Sequence, residues 1–264
     1  MKKLYLALLA AGVALISSCS YNGAATTPPG ATDSTLVTFK TQFTANFDEF
    51  VVDTAHGNSG MGDTVLSDNR ISVQDIVVDT GLTYKGYSHV AKVVTMQGSL
   101  AIDSDFYYQD PSGDLYRYNF GFKILNSYAV LVAAIGAPVD QGWILAARMK
   151  SASGTTWIAK QEDSIAVTFI NGLYVHFSSS AQMLADTTII VGTQSLKCRH
   201  ARHHVIASVP QGQYGHEAGD AYVDTYVCPA LGAVPIDFYH HVVLAGSLTT
   251  SQAQGKFKLM TSHN

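Results

Sequence analysis

Residues 189–239 read IIVGTQSLKCRHARHHVIASVPQGQYGHEAGDAYVDTYVCPALGAVPIDFY. Two β-rich runs flank a glycine-containing loop, the pattern of a hairpin with a long connection. With the loop centred on Gln213, antiparallel pairing sets Cys198 opposite Cys228 and Arg202 opposite Asp224. It also sets His200 opposite Tyr226 and His204 opposite Tyr222. Successive partners lie two residues apart, so all these side chains share one face of a sheet. One register thus accounts for a thiol pair and a charge pair together, and a bulge in the long loop would slip it by a residue or two.

Outward from this hairpin the chain continues as short β runs. Ile71–Asp79, Ser88–Gln97 and Leu100–Gln109 come before it, the last leading into Asp110-Pro111-Ser112-Gly113. Proline second and glycine fourth favour a type I turn, so Asp103 to Leu125 is expected to be a hairpin. Its aromatic surface is Tyr107, Tyr108, Tyr116, Tyr118, Phe120 and Phe122. By period two the last four share one face, and Arg117 and Asn119 point the other way. Further runs start at Ala129, Trp143 and Thr155, and Ser164–Ile170 is broken by Asn171-Gly172, a strong two-residue hairpin signal. Pro235–Leu248 and Gly255–Met260 supply the last strands, and residues 36–52 lean to strand as well. No long amphipathic helix with caps at both ends is visible. The expected fold is all-β: an antiparallel barrel-like or strongly curved sheet over residues 36–264, in one domain.

The N-terminus carries an address. Met1-Lys2-Lys3 is a positive start, and Leu4–Ile16 is an uncharged apolar run. As a helix that run spans roughly 20 Å, short of a bilayer core of about 30 Å. Residues 1–18 therefore read as an export signal and not a stable membrane span. Ile16-Ser17-Ser18-Cys19 resembles the bacterial lipobox. The resemblance implies diacylglycerol on Cys19 and an acylated N-terminus of the palmitate kind, a durable anchor because each buried CH₂ contributes about 0.8 kcal/mol. Ser20 stands where lipoproteins retained at the inner membrane carry Asp, which implies the outer membrane. Residues 19–35 then read as the lipidated cysteine and a flexible tether.

Cys19 taken, Cys198 and Cys228 remain for each other, and an oxidising envelope permits the bridge. Closing a loop of about thirty residues is worth roughly 3.6 kcal/mol in the chain-entropy model. The alternative is two separately buried thiols. Charged residues are only 14% of the chain, against 47% hydrophobic. Without Lys2 and Lys3 the balance is 14 basic to 20 acidic side chains, about −6. That argues against nucleic acid as a partner.

Three passages resemble a group of poorly characterised β-rich lipoproteins of diderm bacteria. They are DTGLTYKGYSHVAKVV (79–94), VGTQSLKCRH (191–200) and YVDTYVCPALGAV (222–234). In the second, Gln194 stands where an aromatic residue is usual. The resemblance covers about half the chain and implies an extracytoplasmic sheet, curved towards a barrel. It brings no catalytic residues.

Seven of the ten histidines follow residue 199: His200, His203, His204, His216, His240, His241 and His263. His200 and His204 share a strand face, and His240 on the next strand would supply a third imidazole for Zn or Cu. The competing reading is a half-exposed histidine face beside tyrosines. His216-Glu217-Ala218-Gly219-Asp220 lacks the second histidine of H-E-x-x-H, and glycine denies it the helix. Gly57, Gly60 and Gly62 have the wrong spacing for a dinucleotide loop. Asp103 and Asp105 fit no calcium loop. No G-x-S-x-G is present, and no catalytic residue or cofactor is assigned. The reading is a binding or structural module, with an apolar ligand held by Tyr and Phe or a cell-envelope protein as partner. Metal binding through the late histidines, in a carrier or an enzyme, is the alternative.

Overall fold

The computed structural model describes residues 37–53, 64–120, 142–166, 174–208, 218–229, 235–240, 242–245, 250–253 and 255–264. The signal peptide, Cys19 and the tether lie outside them. So do the glycine-rich 56–63 stretch, the 129–136 run, Phe122, Asn171-Gly172, Gln213 and His216.

The strands are β1 (Thr44–Asp53), β2 (Thr64–Tyr84), β3 (Tyr87–Gln97), β4 (Leu100–Gln109) and β5 (Asp114–Tyr118). Next come β6 (Trp143–Arg148), β7 (Thr156–Ala166), β8 (Tyr174–Met183), β9 (Thr187–Val191) and β10 (Gln194–Ser208). Last are β11 (Ala218–Val227), β12 (Ile236–Tyr239), β13 (Val242–Ala245), β14 (Thr250–Ala253) and β15 (Gly255–His263). All pairings among the described strands are antiparallel. The main path runs β6-β5-β4-β3-β2-β1-β15-β12-β11-β10-β8-β7, with β9, β13 and β14 attached at its side. No helix of the described residues is long and apolar enough to cross a membrane.

The two ends of that path, β6 and β7, come together, so the sheet is a nearly closed barrel. Side chains seal the seam where a ladder would otherwise run. Trp157 Nε1 donates to Leu145 O (3.1 Å), and His203 Nε2 donates to Ala146 O (2.7 Å). Curvature comes from irregular pairing: the register shifts near Asn46, Glu49, Asp79, Thr95, Leu115 and Lys160.

Period-two alternation builds the interior. Phe43, Ala45 and Phe47 point in, as do Val73 and Val77, Val93, and Ala201, His203 and Val205. The outer face of β1, β2 and β15 is polar. Gln74 donates to Asn46, Asn46 to Ser262, and Ser72 and Arg70 to Asp48.

The Asp110–Gly113 turn forms as expected. Gly113 N donates to Asp110 O (2.9 Å), and Asp110 Oδ1 accepts from Ser112 Oγ and Asp114 N. Gly113 adopts φ 94°, where a side chain would be strained. Three expectations need correction. Val37–Lys40 is not strand: a turn at Gln42 (φ 68°) intervenes before β1. The run from Ile189 is not one strand either. Gly192 (φ 59°) turns the chain between Val191 and Gln194, so β9 and β10 are themselves a hairpin. Finally, Tyr116 and Tyr118 share a face but Phe120 leaves it. Asn119 at φ 54° swings Phe120 inward, where it is 1% exposed.

Candidate functional site

The hairpin of β10 and β11 pairs in the register read from sequence. His200 faces Tyr226, Arg202 faces Asp224, and His204 faces Tyr222. Just beyond the ladder Cys198 and Cys228 form a disulfide, their Cα atoms 4.1 Å apart. The imidazoles stack on their partners, His200 on Tyr226 and His204 on Tyr222, each pair of ring centres 4.5 Å apart. Between them Arg202 Nε and Nη2 donate to the two Asp224 oxygens at 2.7 and 2.8 Å, a bidentate fork.

From the other side His240 Nε2 donates to Asp224 Oδ2 (3.0 Å). His200 Nε2 lies 3.2 Å from Oδ1 without forming a hydrogen bond to it. Burial pushes the Asp224 carboxyl up. Together the contacts of Arg202, His200 and His240 outweigh burial and hold it well below the usual carboxylate range. Asp224 is therefore an acceptor of hydrogen bonds near neutral pH and not a general acid. His240 is set in place by its backbone, which donates to Tyr222 O (3.0 Å). Gly255 permits that approach: a Cβ there would lie 2.0 Å from Tyr239 O.

Of the three histidines read as ligands, the structure brings His200 and His240 to one carboxylate. It turns His204 onto Tyr222. Among the described residues no group of three or more His, Cys, Asp or Glu is arranged to hold a metal ion. The sulfur of Cys198 is engaged in the disulfide.

A second polar cluster lies inside the barrel. Arg117 is 4% exposed. Its Nε and Nη2 donate to Asp105 (both 2.9 Å), and Nη1 donates to Asp237 Oδ2. Asp237 also accepts from Thr225 Oγ1 (2.9 Å) and Tyr239 Oη (3.3 Å). The guanidinium stacks over Phe120, 4.6 Å from its centre. Burial pulls the Arg117 pKa down, but the two carboxylates raise it further, so the charge is permanent. Nearby Asp75 accepts from Thr95 Oγ1 (2.6 Å) and pairs with Lys258 Nζ (3.0 Å). Sequence reading placed Arg117 opposite the aromatic face without asking which face is inside. The signal was Leu115, two residues earlier and fully buried.

The aromatic face lies outside. The tip of the β2–β3 hairpin, turned by Lys85 (φ 48°) and Gly86 (φ 87°), bends over β4, β5 and β6. Tyr84 stacks on Phe106 (4.0 Å), and Tyr87 packs on Tyr108 (4.7 Å) and Trp143 (5.4 Å). Trp143 Nε1 donates to Lys85 O (3.3 Å), pinning the tip down. Tyr118 and Tyr116 complete the cluster.

No protein-family model, curated protein or solved structure matches this chain.

Proposed function

We propose that this chain is an exported lipoprotein, held at the outer membrane through lipid on Cys19. Its barrel acts as a binding or structural module, facing the periplasm or the cell surface. The working surface is the outside of the sheet. One observation carries this reading: packed side chains and a buried charge cluster fill the inside, and a second aromatic cluster lies outside. Phe47, Tyr107, Leu115, Phe120, Ile144, Met149 and Met183 fill the inner face, each under 2% exposed. A core so filled is a scaffold. The outer cluster of Tyr, Phe and Trp has the composition of a contact surface, suited to an apolar ligand or an envelope partner.

The anchor is tested by expressing the full chain and its Cys19→Ala variant in a diderm host with labelled palmitate. The full chain should carry label and partition into detergent. The variant should lose the label and stay in the aqueous phase. Equal partitioning of the two would remove the lipoprotein reading.

A further inference from the structure

We infer that the aromatic cluster on β4–β6, with the β2–β3 tip, seats the barrel on the bilayer that holds the lipid of Cys19. This rests on the anchor proposed above and names what covers the outer face.

The occupant follows from where the chain enters the barrel. Val37 N donates to Gln109 Oε1 (2.8 Å), and Phe39 stacks on Tyr107 (5.5 Å). Gln109 is the last residue of β4 and follows Tyr108 of the cluster. The segment leading to Cys19 thus meets the barrel at the strand end beside the patch. Residues 20–36 span at most roughly 60 Å even if fully extended, so the domain stays close to the surface that holds the lipid.

The residue types fit that surface. Tyr and Trp pair an apolar ring with a polar tip and favour the membrane–water boundary. Tyr87 at the tip is 41% exposed, and Lys85, Gly86, Ser88 and His89 around it are exposed too. Lys85 Nζ sits over the Tyr118 ring, 5.6 Å from its centre, so a cation already rests on the ring face of the cluster. The polar outer face of β1, β2 and β15 is unsuited to such contact, so seating would be one-sided. Charges of both signs surround the patch. Asp79 lies opposite Lys92 in the strand register, and Asp110, Asp114 and Arg148 lie near Tyr116. Ring burial and not counter-charge drives the contact, so zwitterionic lipid suffices.

The test reconstitutes the mature lipidated chain into phosphatidylcholine vesicles with brominated acyl chains. Tryptophan emission is read against a Trp143→Phe variant, since Trp157 is buried inside. Bromolipid should dim the wild-type emission and leave the variant nearly unchanged. A Lys85→Ser, Tyr87→Ser tip variant should cut the dimming several-fold. Intact mass reports lipid on Cys19 separately. Lipid present with Trp143 undimmed overturns the seating and leaves the anchor standing. Trp143 shielded from both bromolipid and aqueous acrylamide means that the tip itself or a second copy covers it, and also overturns the seating. The Cys19→Ala chain added to excess vesicles reads the patch without the anchor: dimming supports the seating, and its absence overturns it.

Discussion

Asp224 and Asp237 sit on neighbouring strands and are both buried, and each accepts from an arginine. They face opposite sides of the sheet. Asp237 shares the interior with Arg117, which is itself enclosed and serves a second carboxylate, Asp105. Asp224 faces outward beneath Arg202, whose side chain is 35% exposed, with two imidazoles at hand. The difference is one of replaceability. Histidine stands ready to compensate outside, whereas inside the hydroxyls of Thr225 and Tyr239 on Asp237 carry no charge to replace the arginine's. A buried pair is costly to break because one partner's charge is left behind in low dielectric.

The largest effect therefore belongs to the interior. Arg117→Met should destabilise the fold by about 3–5 kcal/mol, because Asp105 and Asp237 lose their shared cation. Urea unfolding checks this through a lowered midpoint. Adding Asp105→Asn and Asp237→Asn should restore much of the loss, since the stranded charges are then gone. A shift no larger than that of the matching Arg202 variant would erase the contrast between the faces.

How much of this could be read beforehand differs between the two clusters for a physical reason. Arg202 and Asp224 lie in one hairpin, and a cysteine pair marks the same alignment, so local pairing sufficed. Arg117 and Asp237 are 120 residues apart, and no local pattern joins them. Hydrophobicity also left the side open: nothing in the run says whether the rings of Tyr116 and Tyr118 face in or out. They are covered from outside by a hairpin tip whose kinks, at Asp79, Leu82 and His89, are not written as a period. The hairpin at Gly192 was hidden because one glycine inside a β run marks a turn no more clearly than a bulge. The strand content was legible; the side of the sheet that faces inward depended on contacts between distant strands.

His203 offers a sharper probe of the interior. It packs between Phe120 and Trp157, and its Nδ1 has no hydrogen-bond partner among the described residues. Burial lowers its pKa to about 4, only partly offset by the bond to Ala146 O. The unfolded imidazole titrates near 6.5. Between these values the unfolded chain binds a proton that the folded chain refuses. Stability is thus full above about pH 6.5 and falls as pH drops towards 4, by about 3 kcal/mol in all. His203→Gln keeps an amide donor for Ala146 O and removes the titration. Urea midpoints at pH 7, 6 and 5 should then flatten, and an unchanged slope would assign the acid sensitivity to another group.

The outer cluster should give the smallest effect. Arg202→Met leaves Asp224 with His200 and His240, so the loss at pH 8 is about 1–2 kcal/mol. Asp224 is held below its ordinary range, so its interactions contribute above about pH 4 and vanish only as pH falls further. His200 and His240 keep Asp224 in contact with nitrogen groups, so they should limit the loss. In a His200→Leu, His240→Leu background the same Arg202→Met step should cost about 1 kcal/mol more by urea unfolding at pH 8. An equal loss in both backgrounds would mean that the histidines touch Asp224 without holding it, and the outer face would then be as brittle as the inner.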